Sequence, residues 1–462
     1  MSLPMYPEYK ESGVEWLGGV PAHWNVFSLK RSVDGCINGI WGNEPGGEND
    51  IAVIRVADFE RSNFRVGLEK LTYRSITAKE YESRALAKGD LLLEKSGGGE
   101  KTLVGCVVLF DHEFESVTSN FVARMRPKRN FDSNFLCYCF SSLYQGRVNY
   151  PAIKQTTGIQ NLDSEAYLQE RFCFPPLFEQ TQIVRFLDHE TTKIDTLLHE
   201  QERLIELLQE KRQAVISQAV TKGIDSNLPM KDSGVEWLGE VPAHWNVMKF
   251  VRCVQIAEGQ VDPKLPPYSD MILIAPNHVE SGTGRILAKE TSEDQGAESG
   301  KYICQPGDVI YSKIRPALRK ACIIDHAALC SADMYPLRPF NHLTGKFLLW
   351  GILSEPFSRL AILESERVAM PKINRESLNE IYIAIPPIKE QEVICSYIER
   401  ETKQIDELTA VARKSMALLA ERRSALISAA VTGKIDVRNW QPSTNKTYIP
   451  EISEAVKEVS HG

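Results

Sequence analysis

The sequence predicts two α/β (α+β) heads in tandem, each followed by a long α-helix, the two helices pairing as an antiparallel coiled coil with pseudo-twofold symmetry. Three observations predict it. The stretch SGVEWLGGVPAHWNV, Ser12 to Val26, returns as SGVEWLGEVPAHWNV, Ser233 to Val247, with one change, Gly19 against Glu240. A second pair of segments opens with PPLFEQTQIV at Pro175 and PPIKEQEVIC at Pro386 and closes with AVTKGID and AVTGKID; it runs without a gap at an offset of 211 residues, against 221 for the opening motif. Finally, 462 residues exceed what one core sustains, since cores stop growing near ~250 to 300 residues. Each half is therefore a head of variable length and a tail of fixed length.

The expected boundaries are a first head over 1–177, a long helix over 178–222, a second head over 223–388, a second long helix over 389–436 and a polar tail over 437–462. In the first head, IAVIRV at Ile51, GDLLLEK at Gly89, VGCVVLF at Val104 and SNFVARM at Ser119 have strand length and composition. Thr77-x-x-Glu80 and DSNFLCYCFSSLYQ from Asp132 read as helix starts. The second head answers with MILIA at Met271, GDVIYSK at Gly307, ACII at Ala321 and a helix from Thr344. Gly89-Asp90 corresponds to Gly307-Asp308, and Arg126-Pro127 to Arg338-Pro339.

The tails are helices by period: apolar residues recur three, four or seven apart. Ile194, Leu198, Ile205 and Leu208 in the first, and Ile405, Met416, Leu419 and Leu426 in the second, form the expected pairing seam. Thr191, Gln201 and Arg212 interrupt one seam, and Thr402, Thr409, Ala412 and Arg423 the other. The pattern leaves open whether the first tail is one helix or kinks near Thr191 and Thr192.

Composition places the chain among ordinary globular proteins, with 43% hydrophobic and 25% charged residues. No apolar run reaches the ~18 residues of a membrane span, and the start lacks a signal-peptide pattern, so a cytoplasmic location is expected. The ten cysteines include no C-x-x-C pair and read as buried, reduced thiols.

Three stretches imitate catalytic motifs and fail chemically. KSGGGEKT from Lys95 has Glu100 where a phosphate loop needs glycine. LPPY from Leu265 lacks the hydrogen-bond acceptor with which an adenine methyltransferase would hold its target amine. The acids of GDLLLEK, Asp90 and Glu94, suggest a nuclease metal site, but Ser312 replaces Glu94 in the second copy. His23 and His244 read as packed beside Trp24 and Trp245 rather than as catalysts. No catalytic residue, metal or cofactor is expected.

A net charge of -7 argues mildly against a nucleic-acid partner, yet the tails are acidic and the cations gather in the heads. Candidate DNA-binding residues are Lys95, Ser96, Lys101, Lys128 and Arg129 in one head and Lys313, Arg315, Arg319 and Lys320 in the other, with Arg124 and Arg126 in the same basic stretch. A helix of ~30 residues is about 45 Å long, comparable with the ~34 Å between equivalent grooves of duplex DNA.

With its duplicated SGVEW…PAHW motif, PP-x-x-EQ junctions and AVT…GID helix ends, the chain resembles the specificity subunits of type I restriction-modification systems over nearly its whole length. The resemblance implies that each head is a target recognition domain reading half of a bipartite site in double-stranded DNA. It implies that the repeated regions dock two adenine methyltransferase subunits, with Trp16, Trp24, Trp237 and Trp245 as candidate contacts, and that a restriction subunit joins. The duplication suggests that isolated halves self-pair. Two other readings stand beside it: a coiled-coil scaffold whose heads bind proteins, and a self-contained modification enzyme, which would need the motifs just found wanting.

Overall fold

The computed structural model describes residues 3–46, 50–97, 102–156, 158–365 and 371–442. The chain divides into two compact units, residues 1–199 with 416–462 and residues 200–415.

In the first unit the central strand Leu91–Glu94 is buried along its length, which is why GDLLLEK reads as an unbroken apolar run. It lies in a six-stranded sheet in the order Val33–Asn38, Val122–Pro127, Leu91–Glu94, Val107–Leu109, Arg65–Val66, Phe59–Glu60. Leu91 and Leu93 pack on one side with Phe135, Leu136 and Phe140 of the helix Ser133–Gln145. Leu92 and Val108 pack on the other with Phe59, Leu86 and Phe110. Alternation across the pleat thus feeds two cores from one strand.

The second unit repeats the first four strands in order: Val254–Ile256, Met334–Pro339, Val309–Ser312, Ala321–Ile323. Val309 and Tyr311 join Phe347 and Leu348, while Ile310 joins Ile274, Cys322 and Cys330. The Gly-Asp turn has the same function in both. Asp90 accepts from the Ala87 backbone at 2.8 Å and holds Arg126 through two bonds of 2.8 and 2.7 Å. Asp308 accepts from Gln305 at 2.8 Å and holds Arg338 through two of 2.9 Å.

The expected helix starts carry their caps: Thr77 and Glu80 form a capping box, and Asp132 and Thr344 accept from the first turns of their helices. A helix over Glu355–Ser365 and a hairpin of Ile153–Thr156 with Ile159–Leu162 were not expected from pattern.

The long helices span Leu177–Lys222 and Ile388–Val431, and the first runs through Thr191 and Thr192 without a break. Each follows a Pro-Pro pair, whose fixed φ suits a helix start. Within the first unit Gln182 bonds the carbonyls of Val437 and Trp440, and Asp195 meets Arg423 at 3.0 Å, so the helix segments run antiparallel there. Within the second unit Arg212 lies 3.3 Å from Asp406, and Gly223 lies beside Glu390. Ile194, Leu208 and Ile405 are buried; Leu198, Ile205, Met416, Leu419 and Leu426 are half-buried.

The polar interruptions belong to the seam. Thr191, Thr402, Ala412 and Arg423 are all buried. Thr402 and Thr409 bond carbonyls one turn back, at 2.7 and 2.9 Å, so these hydroxyls need no partner outside their own helix.

No helix among the described residues is long and apolar enough to cross a membrane. Burial pushes the thiols of Cys106, Cys137, Cys253 and Cys322 up to about 12, which leaves them protonated and unreactive.

Candidate nucleic-acid interface

Any surface a head presents depends on how the head is fixed to its helix, and the repeated motifs perform that fixing. After the hairpin Tyr9–Glu11 with Gly19–Pro21, the strand Asn25–Ser28 pairs antiparallel with Arg171–Phe174, the strand that leads into the first long helix. Phe27 and Phe174 stack across it at 4.4 Å. In the second unit Asn246–Lys249 pairs with Tyr382–Ile385 in the same way.

The Glu-Gln dipeptide of each junction completes the attachment. Glu179 accepts from the Trp24 indole at 3.0 Å and lies 2.6 Å from His23 Nε2, while Glu390 does the same for Trp245 at 3.0 Å and His244 at 2.7 Å. Gln180 accepts from the Asp132 backbone and donates to the carbonyl of Pro175; Gln391 accepts from the Thr344 backbone and donates to those of Pro386 and His342. Gly223 and Gly433 adopt φ of +74° and +71° at the helix ends and lie against Trp245 and Trp24. A Cβ at Gly433 would lie 2.4 Å from Pro21, so that position excludes any larger residue.

This attachment corrects two of the docking assignments. Trp24 and Trp245 are 0% exposed, and their indoles are bonded inside the junction, so neither ring offers a docking face. The burial follows from chemistry: an indole with one donor is satisfied by one carboxylate. Trp16 is 41% exposed and leans on Phe172, and Trp237 is half-buried.

The candidate DNA contacts separate into groups. Lys95 and Ser96 follow the central strand of the first head: Lys95 Nζ donates to Asn38 at 2.9 Å and Ser96 Oγ to Asn161 at 2.6 Å. Lys101 lies outside the described residues. Lys128 and Arg129 are exposed but sit beyond the other end of the neighbouring strand, because Val122 pairs with Glu94 and Met125 with Leu91. A six-residue strand separates the two places by about 20 Å. Arg124 and Arg126 are structural: Arg124 donates to the Ala85 carbonyl at 2.6 Å, and Arg126 is held by Asp90.

In the second head Lys313 lies 5.1 Å from the Tyr335 ring centre. Arg315 is exposed at φ +49°. Arg319, at φ +46°, pairs with Glu355 at the start of the helix that pattern missed, and Lys320 Nζ donates to the Pro276 carbonyl at 2.6 Å. Both cations thus have internal partners that sequence could not show, since Glu355 and Pro276 are distant in the chain. The acids of GDLLLEK are likewise engaged: Asp90 by Arg126, and fully buried Glu94 by Arg61 at 2.8 Å. Burial pushes the Glu94 carboxyl up, and Arg61 opposes that rise.

Comparison with known proteins agrees with this architecture. Residues 47–207 and 246–415 each match the family described as type I restriction modification DNA specificity domain. The type I restriction enzyme EcoDI specificity subunit of Escherichia coli is 29% identical over 284 residues, covering 58% of this chain and 63% of that protein's length. The putative type I restriction enzyme MjaX specificity subunit of Methanocaldococcus jannaschii is 21% identical over 446 residues, covering 94% and 99%. A chain from a structure addressing complex assembly and conformational transition of the type I R-M system shares the fold with a TM-score of 0.67 at 15% identity, covering 89% of this chain and 98% of that one. With the two matched segments together covering more than half of its length, the chain belongs to the type I restriction-modification DNA specificity family and carries two copies of its domain in tandem.

Proposed function

We propose that this chain is the non-catalytic specificity subunit of a type I restriction-modification complex, each head reading one half of a bipartite sequence in duplex DNA across an unread spacer. One observation carries the reading: two heads share a four-strand framework, a Gly-Asp–Arg clamp and a Trp-His-Glu junction, while the loops after their central strands differ in sequence. Constant attachment with variable loops is what two different half-sites require. Arg315 touches base edges, whereas Lys95, Lys128, Arg129 and Lys313 position the phosphate backbone.

Two adenine methyltransferase subunits dock on the repeated regions, and a restriction subunit completes the complex in the cytoplasm. Trp16 and Trp237 contribute there, together with leucines exposed on the long helices away from the seam: Leu197, Leu204 and Leu207 on the first, Leu408 and Leu418 on the second. Apolar side chains exposed on a helix invite a protein partner.

The test is to purify the chain with an adenine methyltransferase subunit encoded beside it and map methylated adenines on random-sequence duplex DNA. A two-part asymmetric target supports the reading. Methylation without sequence preference, or no duplex binding in the presence of that subunit, refutes it and favours a protein-binding scaffold.

A further inference from the structure

The loop after each central strand is stitched to a second segment, far away in sequence, in the same manner in both heads. In the first head Ser96 pairs with Asn161 and Gly97 with Gln160, and the Leu162 backbone donates to the Lys95 carbonyl at 2.7 Å. In the second, Ile314 pairs with Lys372, the Arg315 backbone donates to the Pro371 carbonyl at 3.0 Å, and the Ile373 backbone donates to the Lys313 carbonyl at 3.0 Å. Asn161 and Lys372 therefore occupy one position of a shared scaffold. They lie 211 residues apart, the offset of the tails, so the fixed-length repeat reaches back into the heads.

That position is pinned from both sides. Two residues on, Asp163 and Asn374 cap short helices by accepting from the Ala166 and Ser377 backbones at 3.1 and 2.7 Å. Side-chain direction follows from alternation. Leu162 and Ile373 are buried, and Gln160 turns inward to accept from the Val104 backbone at 3.2 Å. Asn161 and Lys372 consequently face outward, and both are exposed. Asn161 Oδ1 accepts a hydrogen bond from the Ser96 hydroxyl at 2.6 Å, which orients the amide.

We propose that Asn161 and Lys372 are specificity-determining residues, each reading a base edge in the half-site of its own head; this rests on the reading of the heads given above. The backbone position is constant, and only the group presented changes, from a carboxamide to an ammonium. A carboxamide is suited to the N6 and N7 edge of adenine, and an ammonium to the O6 and N7 edge of guanine.

The experiment uses the full chain assembled with its methyltransferase subunit and a library of duplexes randomised across both half-sites. Asn161→Ala is expected to lower discrimination at one base pair of the first half-site by about tenfold or more while the second half-site stays as in the wild type; Lys372→Ala should do the converse. Both side chains are exposed, so thermal unfolding of the variants should match the wild type. A consensus unchanged by both substitutions overturns the proposal while leaving the two-head reading intact. So does uniform weakening across all sequences, which marks a phosphate contact. If the wild-type complex enriches no sequence, both fall together.

Discussion

At the scale of single residues, side chains of one type divide by what holds them. Arg126, Arg338 and Arg319 are paired with carboxylates of their own head, whereas Arg315 is exposed on a loop whose backbone is bonded to Pro371. Replacing Arg315 with alanine should cost about 1 to 3 kcal/mol of binding and relax preference in one half-site, measured against a panel of single-base variants. Arg319→Ala should instead lower the melting temperature, because Glu355 loses its partner and a left-handed turn loses its anchor. Lys128→Ala should leave melting unchanged, weaken binding to every sequence alike and flatten the salt dependence by roughly one phosphate. At the junction, Glu179→Ala leaves the buried Trp24 indole and His23 without their acceptor. An orphaned buried donor costs about 1 to 3 kcal/mol, so calorimetry should show a clear fall in melting temperature, and Glu390→Ala should behave in kind.

At the scale of elements, the helices and central strands were legible in the sequence because their burial is periodic or continuous. Leu91 to Leu93 announce a strand covered on both faces, and Thr77 with Glu80 announces a cap. The hairpin around Ile159 was not legible, since IQNL buries only Gln160 and Leu162, one of them polar, and Lys154 and Gln155 of its partner strand are exposed. The polar seam residues read as flaws in the helix pairing, yet Arg423 finds Asp195 and Arg212 approaches Asp406. Burial makes the Arg212 charge costly, and Asp406 compensates. Arg212→Ala should therefore destabilise the second unit, by about 1 to 3 kcal/mol in chemical denaturation. Lengthening the first helix alters a ruler rather than a contact: four residues inserted near Glu206 add about 6 Å and rotate one end by about 40°. The spacer accepted by the complex should widen by roughly one or two base pairs with both half-sites unchanged, as read by methylation of targets with graded spacers; an unchanged spacer would mean that the helices do not set it.

At the scale of the whole molecule, the duplication was visible as text, but its purpose emerged only from pairings between distant residues. Nothing in PAHW or PPLFEQ alone says that the histidine and tryptophan of one meet the glutamate of the other. The candidate interface was less legible than the fold, because a cation's availability depends on neighbours such as Asp90, Glu355 and Pro276 that lie far along the chain or on another strand. The offset of 211 maps Asp195 onto Asp406 and Arg212 onto Arg423. A fragment of residues 1–225 retains Asp195 and Arg212, the two chemical halves of both pairs, and should self-associate and read a symmetric target. Sedimentation showing only monomer at micromolar concentration, with no supported methylation, would count against it.

The doubled ion pair also bears on what happens when two such chains share a cell. Asp195 with Arg423 and Asp406 with Arg212 present the same two charges in the same order, so neither pair distinguishes its own half from an equivalent half of a foreign chain. Kinship between halves is written nowhere at these positions, and shuffled halves meet no electrostatic barrier there. Exchanging the charges of one pair, Asp195→Arg with Arg423→Asp, gives that pair a private polarity: the altered chain keeps its internal match, while a mixed partner brings like charges together.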